Sequence, residues 1–179
     1  MVVGALALLW SMAKAHSQDL IDREPEIKAA YLYNFGRYVE WPAAPPVNAE
    51  KEFVIGVVGD SPVAAPLGTI ARSKKINELP IVVHRFKSEK DFRKCQMLYI
   101  PAAQDAKLVA ALMKQVGNSA TLVVGDDEDF ALKLGHIGFY SDQNSVKFEI
   151  NSKSAEKAGL KISSKLLRLG RIVNQKPGK

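Results

Sequence analysis

Six consecutive residues without a polar side chain, Phe53-Val54-Ile55-Gly56-Val57-Val58, stop abruptly at Gly59-Asp60-Ser61-Pro62. A run this short and this rich in β-branched residues reads as a strand, and its lack of alternation places it in a sheet covered on both faces. Gly59 to Pro62 supplies a turn and a helix start, predicting a helix to about Ala71. The same grammar recurs down the chain. Pro80 to Phe86, Met97 to Ile100 and Thr121 to Val124 read as strands, and Ala106 to Val116 as an amphipathic helix closed by Gly117-Asn118. A short acidic-started helix is expected around Asp127 to Leu134. His136 to Tyr140 and Val146 to Ile150 flank the polar cluster Ser141 to Ser145 and predict a hairpin.

Helices frame this alternation. Glu26 to Glu40 follows Pro25, a residue tolerated at a helix start, and carries Ile27, Tyr31, Phe35 and Tyr38 at helical spacing. Trp41-Pro42 ends it, because the residue before proline avoids the helical region. Pro42 to Lys51 reads as a stiff connector. Ser163 to Val173 is predicted as a closing helix, with Ile162, Leu166, Leu169 and Val173 on one stripe and Lys165, Arg168 and Arg171 pointing away. Strands alternating with helices predict a three-layer α/β fold. Its central sheet is mostly parallel and Rossmann-like, with an antiparallel C-terminal edge hairpin and flanking helices. One domain is expected over residues 26–173, with a flexible start at 16–25 and a tail at 174–179.

Val2 to Trp10 is apolar throughout, and Ala13-Lys14-Ala15 follows it. A short apolar run ending in a small-x-small triplet is what a signal peptidase reads, which predicts cleavage after Ala15; the alternative is a buried N-terminal helix. The run is too short to span a bilayer. Export would remove the chain from ATP and NAD, which weighs against kinase and dehydrogenase chemistry. The formal charge of +6 comes from scattered basic residues with no nucleic-acid-binding motif, so no nucleic acid partner is expected. Anionic lipid headgroups or an acidic protein face suit such a surface better. A single cysteine excludes an intrachain disulfide framework and a multi-cysteine zinc site.

The candidate motifs each have a plain structural alternative. Gly56 to Ser61 sits where a strand meets a helix but is neither a dinucleotide fingerprint nor a P-loop. Either it is a turn with a helix cap, or Gly59, Asp60, Ser61, Gly125 and Asp126 edge a small-ligand crevice. Asp126-Asp127-Glu128-Asp129 could attract a hard cation, but acidic residues in a first helical turn also oppose the helix dipole. His16, His84 and His136 form no short pattern, and no Gly-x-Ser-x-Gly elbow occurs. Cys95 reads as a buried small apolar residue, with a reactive thiol beside Arg93 and Lys94 as the alternative. No catalytic residue, cofactor or metal is assigned. For partner binding, Tyr31, Phe35, Tyr38 and Trp41 form an aromatic stripe that is either core or hot spot, and Leu167, Arg168 and Arg171 offer a second surface.

Two long segments carry a resemblance. Lys28-Ala29-Ala30-Tyr31-Leu32-Tyr33-Asn34-Phe35, continuing to Tyr38-Val39-Glu40-Trp41-Pro42, resembles the opening of the YfiR family of periplasmic proteins. Val146 to Asn151 and Ala158 to Leu167 are similar to its closing signature, and Phe53 to Asp60 and Lys94 to Ile100 fit the segments between. The resemblance implies a regulator, not an enzyme, that inhibits an inner-membrane diguanylate cyclase through its periplasmic sensor domain. It further implies that an outer-membrane lipoprotein can remove the inhibitor, raising cyclic di-GMP and favouring biofilm formation. The chain is accordingly expected to be a periplasmic homodimer, the rival expectation being a small-ligand sensor coupled to another membrane signalling protein. Family members can carry paired cysteines, whereas Cys95 has no internal partner, leaving a Cys95–Cys95 link between copies as the one disulfide available. If the export reading is right, N-terminal sequencing of the protein from the cell envelope will begin at His16; Met1 retained there would contradict it.

Overall fold

The computed structural model describes residues 23–42, 51–143 and 145–173. The expected export segment, most of the polar start, the bulk of the proline-containing connector and the tail lie outside the described residues. Helix α1 (Glu24–Tyr38) buries Ala29, Leu32 and Phe35 completely, at about 1.5–3 kcal/mol for each of the two large side chains. It ends two residues earlier than its sequence suggests. Val39 turns extended because Val39–Glu40, strand β1, pairs antiparallel with Lys161–Ile162 near the other end of the chain.

The main sheet starts from β2 (Phe53–Val58), which leads through α2 (Ala64–Ser73) and a short β3 (Lys75–Ile76) into β4 (Leu79–Phe86). There follow β5 (Met97–Ile100), α3 (Ala106–Val116), β6 (Leu122–Gly125), α4 (Phe130–Lys133) and β7 (Ile137–Asp142). The chain finishes with β8 (Ser145–Ile150), α5 (Ser152–Lys157), β9 (Lys161–Ile162), α6 (Ser164–Leu167) and β10 (Arg171–Ile172). The eight-stranded order is β10-β8-β7-β6-β5-β2-β4-β3. The inner five, β4 to β7 with β2, run parallel; β3 pairs antiparallel with β4 and β8 antiparallel with β7, while β10 runs parallel to β8. This is the mostly parallel α/β sheet that the alternating pattern predicts.

Both faces are dry. Phe53, Ile55, Val57, Met97, Tyr99, Leu122 and Val124 pack with α1 and α2 on one side. Val58, Leu98, Ile100 and Val123 alternate with them and pack with Leu112, Val116 and Phe130 on the other. Period-two alternation between two apolar layers accounts for the unbroken apolar runs.

The closing segment departs from expectation. In place of a helix from Ser163 to Val173 there is one turn, Ser164–Leu167, capped by the Ser163 hydroxyl, which accepts the Leu166 N–H at 3.3 Å. The chain then reverses, and Arg171–Ile172 extends the sheet beside Glu149–Ile150, with Val173 N–H donating to Ile150 O at 2.8 Å. Leu169 is consequently 66% exposed and leaves the stripe. Gly170 costs a helix about 1 kcal/mol, whereas the open edge of β8 offers a ladder for the same backbone groups. Helix α5 is a further addition, started by Asn151, whose Oδ1 accepts the Ser154 N–H at 3.0 Å and whose Nδ2 donates to Ala131 O.

His136 closes the start of β7 against β6: its Nδ1 accepts the Val123 N–H at 2.9 Å, and burial pushes its pKa from 6.5 down to about 4. The folded chain therefore keeps this imidazole neutral while the unfolded chain takes up a proton near pH 6.5. Its contribution is fully present above that pH and is lost as the pH falls toward 4. Urea titrations should show about 2 kcal/mol lost between pH 6.5 and 5, above the range where most carboxylates protonate, and His136→Gln should abolish that slope. An identical slope in the variant would contradict the assignment.

Candidate functional site

The crossovers on either side of β2 create a crevice. From β2 the chain passes through α2 over one face of the sheet to β4, whereas β5 lies on the other side of β2 and continues through α3, on the opposite face, to β6. The loops after β2 and β5 thus part in opposite directions, the arrangement that leaves room for a ligand at the carboxyl ends of parallel strands. A cavity of about 330 Å³ lies there. Ser61, Pro62 and Val63 follow β2 on one side, Pro101 and Ala102 follow β5 on the other, and Asp126 rises from the end of β6. The first turn of α1 roofs it with Glu24, Pro25 and Lys28. Glu24 and Lys28 stand four residues apart, so helical periodicity puts both on the same side.

Charge is concentrated at the floor. Lys28 Nζ lies 2.9 Å from Asp126 Oδ2 and also pairs with Glu24. The Tyr99 hydroxyl donates to the same Oδ2 at 2.6 Å. Lys28 and Asp126 are only 12% and 11% exposed, whereas Glu24, at 35%, reaches the mouth. Asp126 Oδ1 is shielded from solvent and accepts no hydrogen bond from any described residue. Burial alone would push the Lys28 pKa down, but hydrogen bonds and charge from Glu24 and Asp126 outweigh it and leave the value raised. Burial first, then the Asp126 charge, push the Tyr99 phenol far above its usual range, so it remains a donor. The floor is a carboxylate with one oxygen saturated by charge-assisted bonds and the other unpaired.

The five crevice residues expected from sequence separate. Ser61 and Asp126 line the cavity. Gly59 makes the turn at φ +67°, and exposed Asp60 faces sideways to Lys87 and Arg85 at 3.0 and 3.7 Å. Gly125 permits a close approach: a Cβ there would sit 2.4 Å from the Phe130 ring. Of the acidic run, Asp126 serves the crevice, and Asp129, at the start of α4, makes no side-chain cap. Among the described residues no three His, Cys, Asp or Glu side chains are grouped to hold a metal ion. Cys95 is buried with its thiol pushed up to about 12 by burial, so this conformation offers no thiolate and no sulfur for a link between copies. Tyr99, Lys28 and Glu24 were not singled out as site residues by sequence reasoning. Tyr99 read as one more apolar strand position, and the spacing of Glu24 and Lys28 on α1 was the sole signal for the other two.

The candidate partner residues also divide. Phe35 is wholly buried, and Tyr31 packs against Phe35, Phe139 and Phe148. Trp41 sits edge-on to Phe53 and donates to Gln96 O at 3.1 Å. Tyr38 is partly open, its hydroxyl accepting from Lys165 Nζ at 3.0 Å. Leu167 rests against the core, Arg168 is exposed, and Arg171 pairs with buried Glu149 at 2.7 Å and lies over the Tyr140 ring. Sequence reasoning placed Leu169 on an inward stripe; it is instead exposed, as is Ile172 at 45%.

A family model described as YfiR/HmsC-like matches residues 25–171, from the first turn of α1 into β10. No curated protein matches the chain. No described helix is long and apolar enough to cross a membrane. Tyr99→Phe removes one of the two bonds on Asp126 Oδ2 without changing the shape of the strand. It should destabilise the fold by about 1.5–3 kcal/mol, seen as a lower urea midpoint at unchanged slope. An unchanged midpoint would show that the hydroxyl adds nothing.

Proposed function

The chain belongs to the YfiR/HmsC-like family, and from that premise we propose that it is a periplasmic regulatory binding protein. It binds the periplasmic sensor domain of an inner-membrane diguanylate cyclase and holds the enzyme inactive, keeping cyclic di-GMP low and restraining biofilm formation. An outer-membrane lipoprotein relieves the inhibition by taking up the regulator, which acts as a homodimer and transforms no substrate. The observation that carries this reading is the extent of the family match, which spans nearly every described element. To turn a cyclase population from 99:1 active to 99:1 inactive, the regulator has to favour the inactive state about 10⁴-fold.

The surface that supports protein binding lies at the β10 edge. Leu169 and Ile172 are exposed apolar side chains near Arg168 and Arg171 in the chain, and Lys165 of α6 donates to the Tyr38 hydroxyl of α1. Arginine and tyrosine are enriched at binding hot spots. A second reading makes the crevice a small-ligand sensor coupled to a membrane signalling partner; the cavity at the strand ends, lined by Ser61 and Asp126, favours it. Deleting the gene should raise cellular cyclic di-GMP several-fold, and a plasmid copy should restore it. Unchanged cyclic di-GMP under every growth condition would defeat the cyclase assignment.

A further inference from the structure

We propose that a cavity at the amino ends of β6 and β7 binds a small aliphatic monocarboxylate. The cavity has a volume of about 220 Å³ and lies at the opposite end of β6 from the crevice, between the end of α3 and α5. The proposal goes beyond both functional readings and depends on neither. Its chemistry starts from His136, which lines the cavity and is only 8% exposed. Nδ1 accepts the Val123 N–H at 2.9 Å and so carries no proton, and burial keeps the ring neutral by pushing its pKa down to about 4. A neutral imidazole without a proton on Nδ1 holds it on Nε2. Nε2–H is therefore a fixed donor, and no described residue accepts from it. Among the described residues Asp126 Oδ1 is the one side-chain polar atom both shielded from solvent and unpartnered, so Nε2 remains open to what enters.

The remaining lining selects the ligand. Exposed Lys157 brings a positive charge to the mouth, and no Asp or Glu is among the residues that line the cavity. A carboxylate satisfies both groups, one oxygen accepting from Nε2–H and the other from the ammonium, each in a charge-assisted bond. Met113, Leu134 and Ala158 supply an apolar wall. Leu134 is 42% exposed, so an aliphatic body laid against it removes apolar surface from water. An amine would meet the lysine charge and a donor where it needs an acceptor. A neutral amide satisfies Nε2–H but leaves the lysine unused, and inorganic phosphate offers nothing to Leu134 and Met113. The cavity is smaller than most ligand sites, which limits the aliphatic body to a few carbons.

The purified full chain can be titrated at pH 7 and matched ionic strength with 4-methylpentanoate and, in parallel, with 4-methylpentanamide, 4-methylpentylamine and acetate. Nitrogen-15 NMR of the histidines should place the His136 proton on Nε2. The acid should then give saturable shifts of that N–H and of the Gly117 and Ser154 amides, and the three analogues should bind at least fivefold more weakly. Lys157→Glu should weaken the acid at least tenfold and Leu134→Gln about threefold. Both side chains are exposed, so these variants and the analogue series decide the matter without touching the bond that His136 makes to β6. A proton on Nδ1, equal binding of acid and amide, unchanged affinity in Lys157→Glu, or no saturable shift at these residues would overturn the proposal.

Discussion

Strands β2, β5 and β6 have no face left for water, and much of the molecule follows from that condition. A sheet dry on both sides has to be covered on both sides, so the crossovers alternate between the α1–α2 layer and the α3–α4 layer. Alternation about β2 makes the loops after β2 and β5 diverge, and the divergence opens the crevice. The site is thus a by-product of burying Phe53 to Val58 twice over. Close packing sets the finer geometry: Gly125 ends β6 without a side chain because the Phe130 ring lies against it, and the next residue, Asp126, comes up at the floor.

That floor ties three elements together electrostatically. Lys28 comes from α1, Tyr99 from β5 and Asp126 from the end of β6, and they meet within hydrogen-bonding distance. Buried ion pairs often contribute little net stability, since desolvation offsets much of the attraction. Their value here is positional: the pair fixes the first turn of α1 over the strand ends and leaves one carboxylate oxygen facing no described donor. A second polar tie, the Val123 N–H to neutral His136, works at the opposite end of β6 and depends on the imidazole remaining uncharged.

Crevice and sheet edge are separate surfaces with different chemistry. The crevice is small and lined by Glu24, Lys28 and Asp126 among apolar walls; the β10 edge carries exposed Leu169 and Ile172 near Arg168 and Arg171 in the chain. Helix α1 reaches the crevice through Lys28 at its start and Lys165 of α6 through Tyr38 at its end.

Much of the fold was legible in the residues. The apolar runs from Phe53, Met97 and Thr121 read as strands, the first as one covered on both sides, and Ala106 to Val116 matches its helix residue for residue. Two-residue pairings were not legible. Val39–Glu40 joins Lys161–Ile162 across more than a hundred residues, and β3 meets β4 through Asn77 and Glu78 at positive φ, where no Asn-Gly announces the turn. The stripe from Ile162 to Val173 obeys helical spacing, yet an open sheet edge claimed its backbone groups. In the site, the strand-to-helix turn was visible, but Tyr99 looked like one more apolar strand position and nothing marked Lys28 as a site residue. The sequence by itself determined which segments are apolar and with what period, because burial is paid for residue by residue. Tertiary structure alone decided which charges meet at Asp126, because that depends on the order in which strands lie side by side, and no local pattern encodes that order.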